Sequence, residues 1–104
     1  MHPATIGLPN PWPRYDEWYD FTQNPRLTTH VLVQLDETTY PDNPFPMGDH
    51  PIVWCKTMGS GRSFYTGLGH AAEGFADPGV QRHLLGGILY AAGALPGNCA
   101  VPGS

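Results

Sequence analysis

His70, His50 and a handful of carboxylates are the residues of this chain best suited to chemistry. His70 closes the run Gly67-Leu68-Gly69-His70 behind an apolar segment, which places it on a loop at a strand's carboxyl end. Polar residues beside glycine at strand ends are where α/β folds build sites. Glu73 follows three residues on and is placed to orient the imidazole. A carboxylate–histidine pair works as a general acid–base, so His70 and Glu73 are the candidate catalytic pair. The plainer alternative is a histidine that caps its own loop through a ring N–H.

His50 is the second candidate, in Asp49-His50-Pro51. Pro51 holds His50 extended at the start of an apolar run. That run and the one ending before His70 are joined by a short glycine-rich turn. In an antiparallel hairpin those two ends are neighbours, so both imidazoles come within one side-chain reach. His50 and His70, with Asp49 or Glu73, then suit a divalent metal such as zinc or manganese. The alternative is that Asp-His-Pro is turn chemistry alone. A third group, Asp16, Glu17 and Tyr19, lies in DEWYDF (residues 16–21). Carboxylates grip sugar hydroxyls and aromatic rings stack on sugar faces, so these residues suit a polyhydroxylated substrate. They would serve equally as a solvated acidic turn with its aromatics in the core. His30 and His83 read as structural, on a strand's polar face and a helix flank, and His2 carries no reading.

Cys55 and Cys99 are the whole thiol inventory, and their spacing fits no CxxC motif. They are either two unrelated thiols or a disulfide tying the tail to the sheet.

Several function classes are excluded. Five basic residues without a cluster, and a formal charge of −4, give no footprint for nucleic acid. No apolar run approaches the ~20 residues that span a bilayer, so no membrane partner is expected. The first residues, MHPATIGLPNPWP, lack the charged and apolar regions of a signal peptide. If the chain is exported, its signal is expected upstream.

The positioning elements follow from pattern. Glycine (13) and proline (12) make about a quarter of the 104 residues, which dilutes the core. Twelve aromatic residues and only 13% charge oppose disorder. One loop-rich domain fits this length. Residues 1–15 hold four prolines and read as an extended lead-in. Residues 16–21 read as a short strand or one helical turn. Residues 28–37 alternate cleanly, with Val31, Val33 and Leu35 on the apolar face and His30, Leu32, Gln34 and Asp36 on the other. Residues 51–57 and 62–68 form an antiparallel hairpin through Met58-Gly59-Ser60-Gly61. Apolar residues on both faces put that hairpin at the sheet's centre. Asp77 caps a helix that Pro78 opens and Gly93 closes, with Val80, Leu84, Ile88, Ala91 and Ala92 as its stripe. Gly86 and Gly87 cost about 1 kcal/mol each in that helix, which suggests close contact with the sheet. Residues 100–104 are a tail.

DEWYDF, DHPIVW, GRSFYTGLGH and DPGVQRHLLGGI, in this order and spacing, resemble the C-terminal half of the ThuA-like, or trehalose-utilisation, domain. The resemblance covers residues 2–99, and residues 16–99 are expected to be the domain part proper. It implies an α+β arrangement here: an antiparallel meander of three or four strands plus one C-terminal helix. The whole domain would be a class I glutamine amidotransferase-like, flavodoxin-like α/β fold. The missing N-terminal half, or an oligomer partner, is then the expected protein partner, and a sugar or sugar derivative the expected ligand.

The resemblance further implies that the domain binds or modifies a sugar and that this stretch alone is inactive. The other reading is a non-catalytic accessory module of a secreted, multidomain carbohydrate-active protein. DEWYDF borders the family's presumed site. Secreted members often carry cysteines near both positions found here, which leans toward a Cys55–Cys99 disulfide and an extracellular bacterial location, with the cytoplasm as the alternative. Glutaminase chemistry is unsupported, because Cys55 sits mid-strand and no nucleophile elbow is present.

Overall fold

Val53 and Cys55 have no exposed surface, and the strand that carries them sits at the middle of the sheet. The computed structural model describes residues 2–13, 21, 23–39, 47–68 and 75–101. Among these, three strands and one α-helix are ordered as β1 (His30–Leu35), β2 (His50–Met58), β3 (Gly61–Thr66) and α1 (Pro78–Ala91), with short 3-10 turns at Pro25–Leu27 and Glu37–Thr39. The arrangement is α+β: an antiparallel sheet of order β1-β2-β3 with one C-terminal helix.

The hairpin forms where the glycines predict it. Met58 pairs with Gly61, so Gly59 and Ser60 make a two-residue turn. Gly59 has φ +60, a conformation that side chains resist. From there the register runs to Cys55 opposite Phe64 and Val53 opposite Thr66. β2 is central, as expected. β3 instead takes an outer position among the described strands, so its two-sided apolar pattern reflects cover from other elements.

β1 pairs with β2 from His30 opposite Cys55 to Leu35 opposite His50. Register shifts on both sides of Val33 break the clean alternation that the sequence shows. Leu32 consequently packs against the core cluster of Cys55, Tyr90 and Cys99 rather than lying on a polar face.

The Asp77 carboxylate accepts the Gly79 N–H at 2.7 Å, Pro78 opens α1, and Gly93 follows its end with φ +79. The buried face is Gly79, Val80, His83, Gly86, Gly87 and Tyr90. The aliphatic stripe expected from periodicity is therefore displaced, and Ile88 is 64% exposed. Glycine decides the outcome. A Cβ on Gly86 would strike the Pro3 carbonyl, and one on Gly87 would strike the Phe64 ring. The helix backbone itself is the packing surface, and hydropathy patterns do not register a bare backbone.

The lead-in contributes to that packing instead of running extended. The Thr5 and Ile6 amides bond the His2 carbonyl, and the Leu8 amide bonds that of Thr5. This turn buries His2 and Ala4 beneath α1. His83 is not on a flank but fully buried, between the Ala4 carbonyl and the Thr66 hydroxyl. Among the described residues no helix is long and apolar enough to cross a membrane.

Candidate functional site

The start of β2 gathers the polar chemistry. Extended backbone at Pro51 directs His50 into the interior, where its side chain is wholly buried. Its Nδ1 lies 2.8 Å from Glu37 Oε2. β1 and β2 run antiparallel with Leu35 opposite His50, so Glu37 follows just beyond that pair. The same carboxylate accepts the amides of Met47 at 2.9 Å and Gly48 at 2.7 Å. Burial pushes the Glu37 carboxyl up, but the Met47 amide, the His50 ring and the Gly48 amide outweigh it and hold the group below its usual range. An ionised Glu37 requires a proton on Nδ1. In the neutral ring Nε2 is then the lone-pair nitrogen, the tautomer that a base or a metal ligand uses.

Asp49 is committed elsewhere. Arg26 donates to both of its oxygens, at 2.6 and 2.9 Å, in a bidentate pair. Asn24 adds a bond to the same carboxylate, and Arg26 extends to Gln34 at 2.7 Å. The Arg26 guanidinium holds the Asp49 carboxyl below its usual range. This pairing fixes the turn before β2 and commits both oxygens of the carboxylate to Arg26.

Aromatic rings line the same face of the sheet. Trp54 and Tyr65 stack with centroids 4.2 Å apart and planes at 16°. Phe21 stands edge-on to both, at 5.2 and 6.1 Å, and to His50 at 6.2 Å. Phe21, the last residue of DEWYDF, thus lies at the His50 end of the sheet. Phe21 and Trp54 also line a cleft of about 610 Å³, edged by Gln23, Asn24, Thr28 and Thr29, with Leu27 at its rim. Apolar rings with amides and hydroxyls around them are the ordinary make-up of a small-ligand site.

Of the predicted catalytic and substrate-binding residues, His50 is the one that lies among the described residues. His70, Glu73, Asp16, Glu17 and Tyr19 lie outside the described residues. Glu37 and Arg26 escaped the sequence reading. The signal for Glu37 was present in the acidic pair at the exit of the cleanest strand, but it needed the β1–β2 pairing to bring it to His50. The reading of Cys55 and Cys99 resolves into a disulfide with Cα atoms 5.6 Å apart. His2 places a ring nitrogen within 4.8 Å of both sulfurs.

The sequence profile of the trehalose-utilisation family, ThuA, matches residues 1–91. The chain belongs to the ThuA family. No curated protein and no solved structure matches it. Membership associates this ThuA chain with sugar utilisation in general terms. The disulfide is compatible with an extracellular location.

Proposed function

We propose that this ThuA chain binds a sugar or sugar derivative on the face of the sheet that carries His50, Phe21 and Trp54, and that the intact domain modifies it there. The carrying observation is the convergence at one strand end. A histidine oriented by a carboxylate lies edge-on to Phe21, and Phe21 lines a cleft rimmed by amides and hydroxyls. In this reading Asp16, Glu17, Tyr19 and His50 hold the sugar's hydroxyls. His70 and Glu73 are the acid–base pair. A divalent metal, if used, would be held by His50 with His70, and it would supply Lewis-acid polarisation of a sugar oxygen.

The reading keeps two partners for residues 1–104: the rest of a ThuA domain, or a further copy. Leu85 and Ile88, both exposed on α1, support such a partner. The second reading is an accessory binding module of a secreted carbohydrate-active protein, and the buried disulfide favours it.

Isothermal titration of the full-length domain with trehalose and a panel of disaccharides tests the proposal. Binding that weakens tenfold or more in Trp54→Ala and His50→Ala, with folding intact, supports it. Undiminished binding in both variants overturns the site. Binding with no product formed by the full-length domain favours the accessory reading.

A further inference from the structure

A second constellation lies on the opposite, helix-facing side of the sheet. Cys55, Cys99, His2 and Tyr90 are each 95% buried or more. A His2 ring nitrogen lies within 4.8 Å of both sulfurs, and the His2 and Tyr90 rings approach to 4.6 Å. His2 Nδ1 accepts the Ala4 N–H at 3.0 Å. A neutral His2 therefore carries its proton on Nε2. That N–H and the Tyr90 hydroxyl are the two buried side-chain polar atoms, among the described residues, that have no hydrogen-bond partner. Two orphaned donors in a buried core are costly, and native proteins rarely keep them without a reason.

We propose that the Cys55–Cys99 disulfide is a reducible latch on the C-terminal tail, and that His2 and Tyr90 stabilise its dithiol form. A disulfide sulfur is a poor acceptor, while a thiol or thiolate sulfur accepts better. A His2 ring nitrogen stands within 4.8 Å of both sulfurs and Tyr90 packs in one cluster with both cysteines, so reduction offers these donors an acceptor close by. The reaction needs a dithiol or two small-molecule thiols as reductant. The reductant's thiols give two electrons and two protons, the Cys55–Cys99 bond breaks, both cysteines become thiols, and the reductant leaves as its own disulfide.

The tail is built to respond. From residue 91 to 100 Cys99 is the single buried side chain. The start of the tail is also held by the Ala94 and Leu95 amides on the Leu89 carbonyl and by the Arg62 guanidinium on the Leu95 carbonyl at 3.0 Å, and its end by His30 Nδ1 beside the Ala100 carbonyl at 2.7 Å. Gly97 fits against the His2 ring so closely that a Cβ there would stand 2.6 Å from Cδ2. Opening the covalent link therefore loosens the stretch around Gly97 that covers His2 and Tyr90. A His2–Cys55–Cys99 metal site is a poorer account of the cluster. Metal on Nε2 would need the proton moved to Nδ1, where the Ala4 amide already donates.

The test equilibrates the purified chain in graded dithiothreitol buffers, traps free thiols by alkylation, and reads the oxidised fraction by intact mass. Tyr90→Phe keeps the ring and removes the donor, and His2→Phe does the same for the imidazole. Each variant is expected to stay oxidised in buffers that reduce the parent, with a shift of about tenfold in the exchange constant, or ~30 mV. Hydrogen exchange over residues 94–101 should rise at least about tenfold on reduction of the parent, as for a locally opened segment. Equal exchange constants in the parent and Tyr90→Phe overturn the role of the donors, even if His2→Phe fails to fold. Unchanged exchange in the tail overturns the latch.

Discussion

Glu37 Oε2 and His50 Nδ1 meet at 2.8 Å across thirteen residues of chain, and the same carboxylate holds the two amides of the turn before β2. One side chain thus sets both the tautomer of the buried histidine and the shape of the loop that delivers it. Glu37→Ala should lose both effects. Nitrogen chemical shifts of His50 should report the Nδ1–H form in the parent and a mixture in the variant. An unchanged tautomer would show that other contacts of His50 orient the ring.

The carboxylates also set an acid limit on stability. Glu37, Asp49 and Asp36 are all held below their ordinary values by donors in the fold. The folded protein therefore binds fewer of these protons than the unfolded chain. Their stabilisation is complete above the ordinary value, 4.5 for Glu37, and is lost as pH falls through the lower folded values. Urea midpoints measured from pH 6 to 3 should decline at the acid end. The decline should be shallower in Glu37→Gln, since Asp49 and Asp36 remain.

Gly87→Ala separates helix propensity from packing. In an open helix the change would gain about 1 kcal/mol. Here the new methyl meets the Phe64 ring, and overpacking a fitted interface costs typically 1–3 kcal/mol. Gly86→Ala should be the worse of the two, because the Pro3 carbonyl it meets is backbone and cannot rotate away. Thermal unfolding of both variants checks the order, and a raised midpoint for Gly86→Ala would refute the packing argument.

The same glycines show what the sequence could disclose. The hairpin, the Asp77-Pro78 helix start and the Gly93 stop were legible, because each rests on local backbone rules. The buried face of α1 was not. Bare glycine backbone carries no hydropathy, so the reading favoured Ile88, which is exposed. His2 and Ala4 were also illegible, because nothing within the proline-rich lead-in says that α1 lies above it. At the site, Glu37 became visible only through the β1–β2 pairing.

Cys55 and Cys99 close a loop of 44 residues of sequence separation. In the chain-entropy account a link of that span stabilises by about 4 kcal/mol. That is a large share of the roughly 5–15 kcal/mol available to an ordinary domain. The Cys55→Ala/Cys99→Ala protein should therefore unfold at a markedly lower urea concentration than the oxidised parent. A difference of less than about 1 kcal/mol would mean that the unfolded chain keeps the two ends close without the bond.

His2 supplies a last, oppositely charged test of the same core. Burial, with like charge from His30, His83 and the chain's amino group, pushes its ring from 6.5 down to about 4. His83 is lowered as well, chiefly by burial, although its bond to the Ala4 carbonyl resists. The His2 ring is therefore neutral in the folded protein at pH 6, while in the unfolded chain it begins to take up a proton near 6.5. Stability from these groups is complete above 6.5 and falls as pH drops from there toward 4. This window lies above that of the carboxylates, so a urea titration should decline in two stages. His2→Phe should flatten the upper stage in part and leave the lower one in place. If the upper stage persists unchanged in that variant, the His2 ring is not held neutral by the fold.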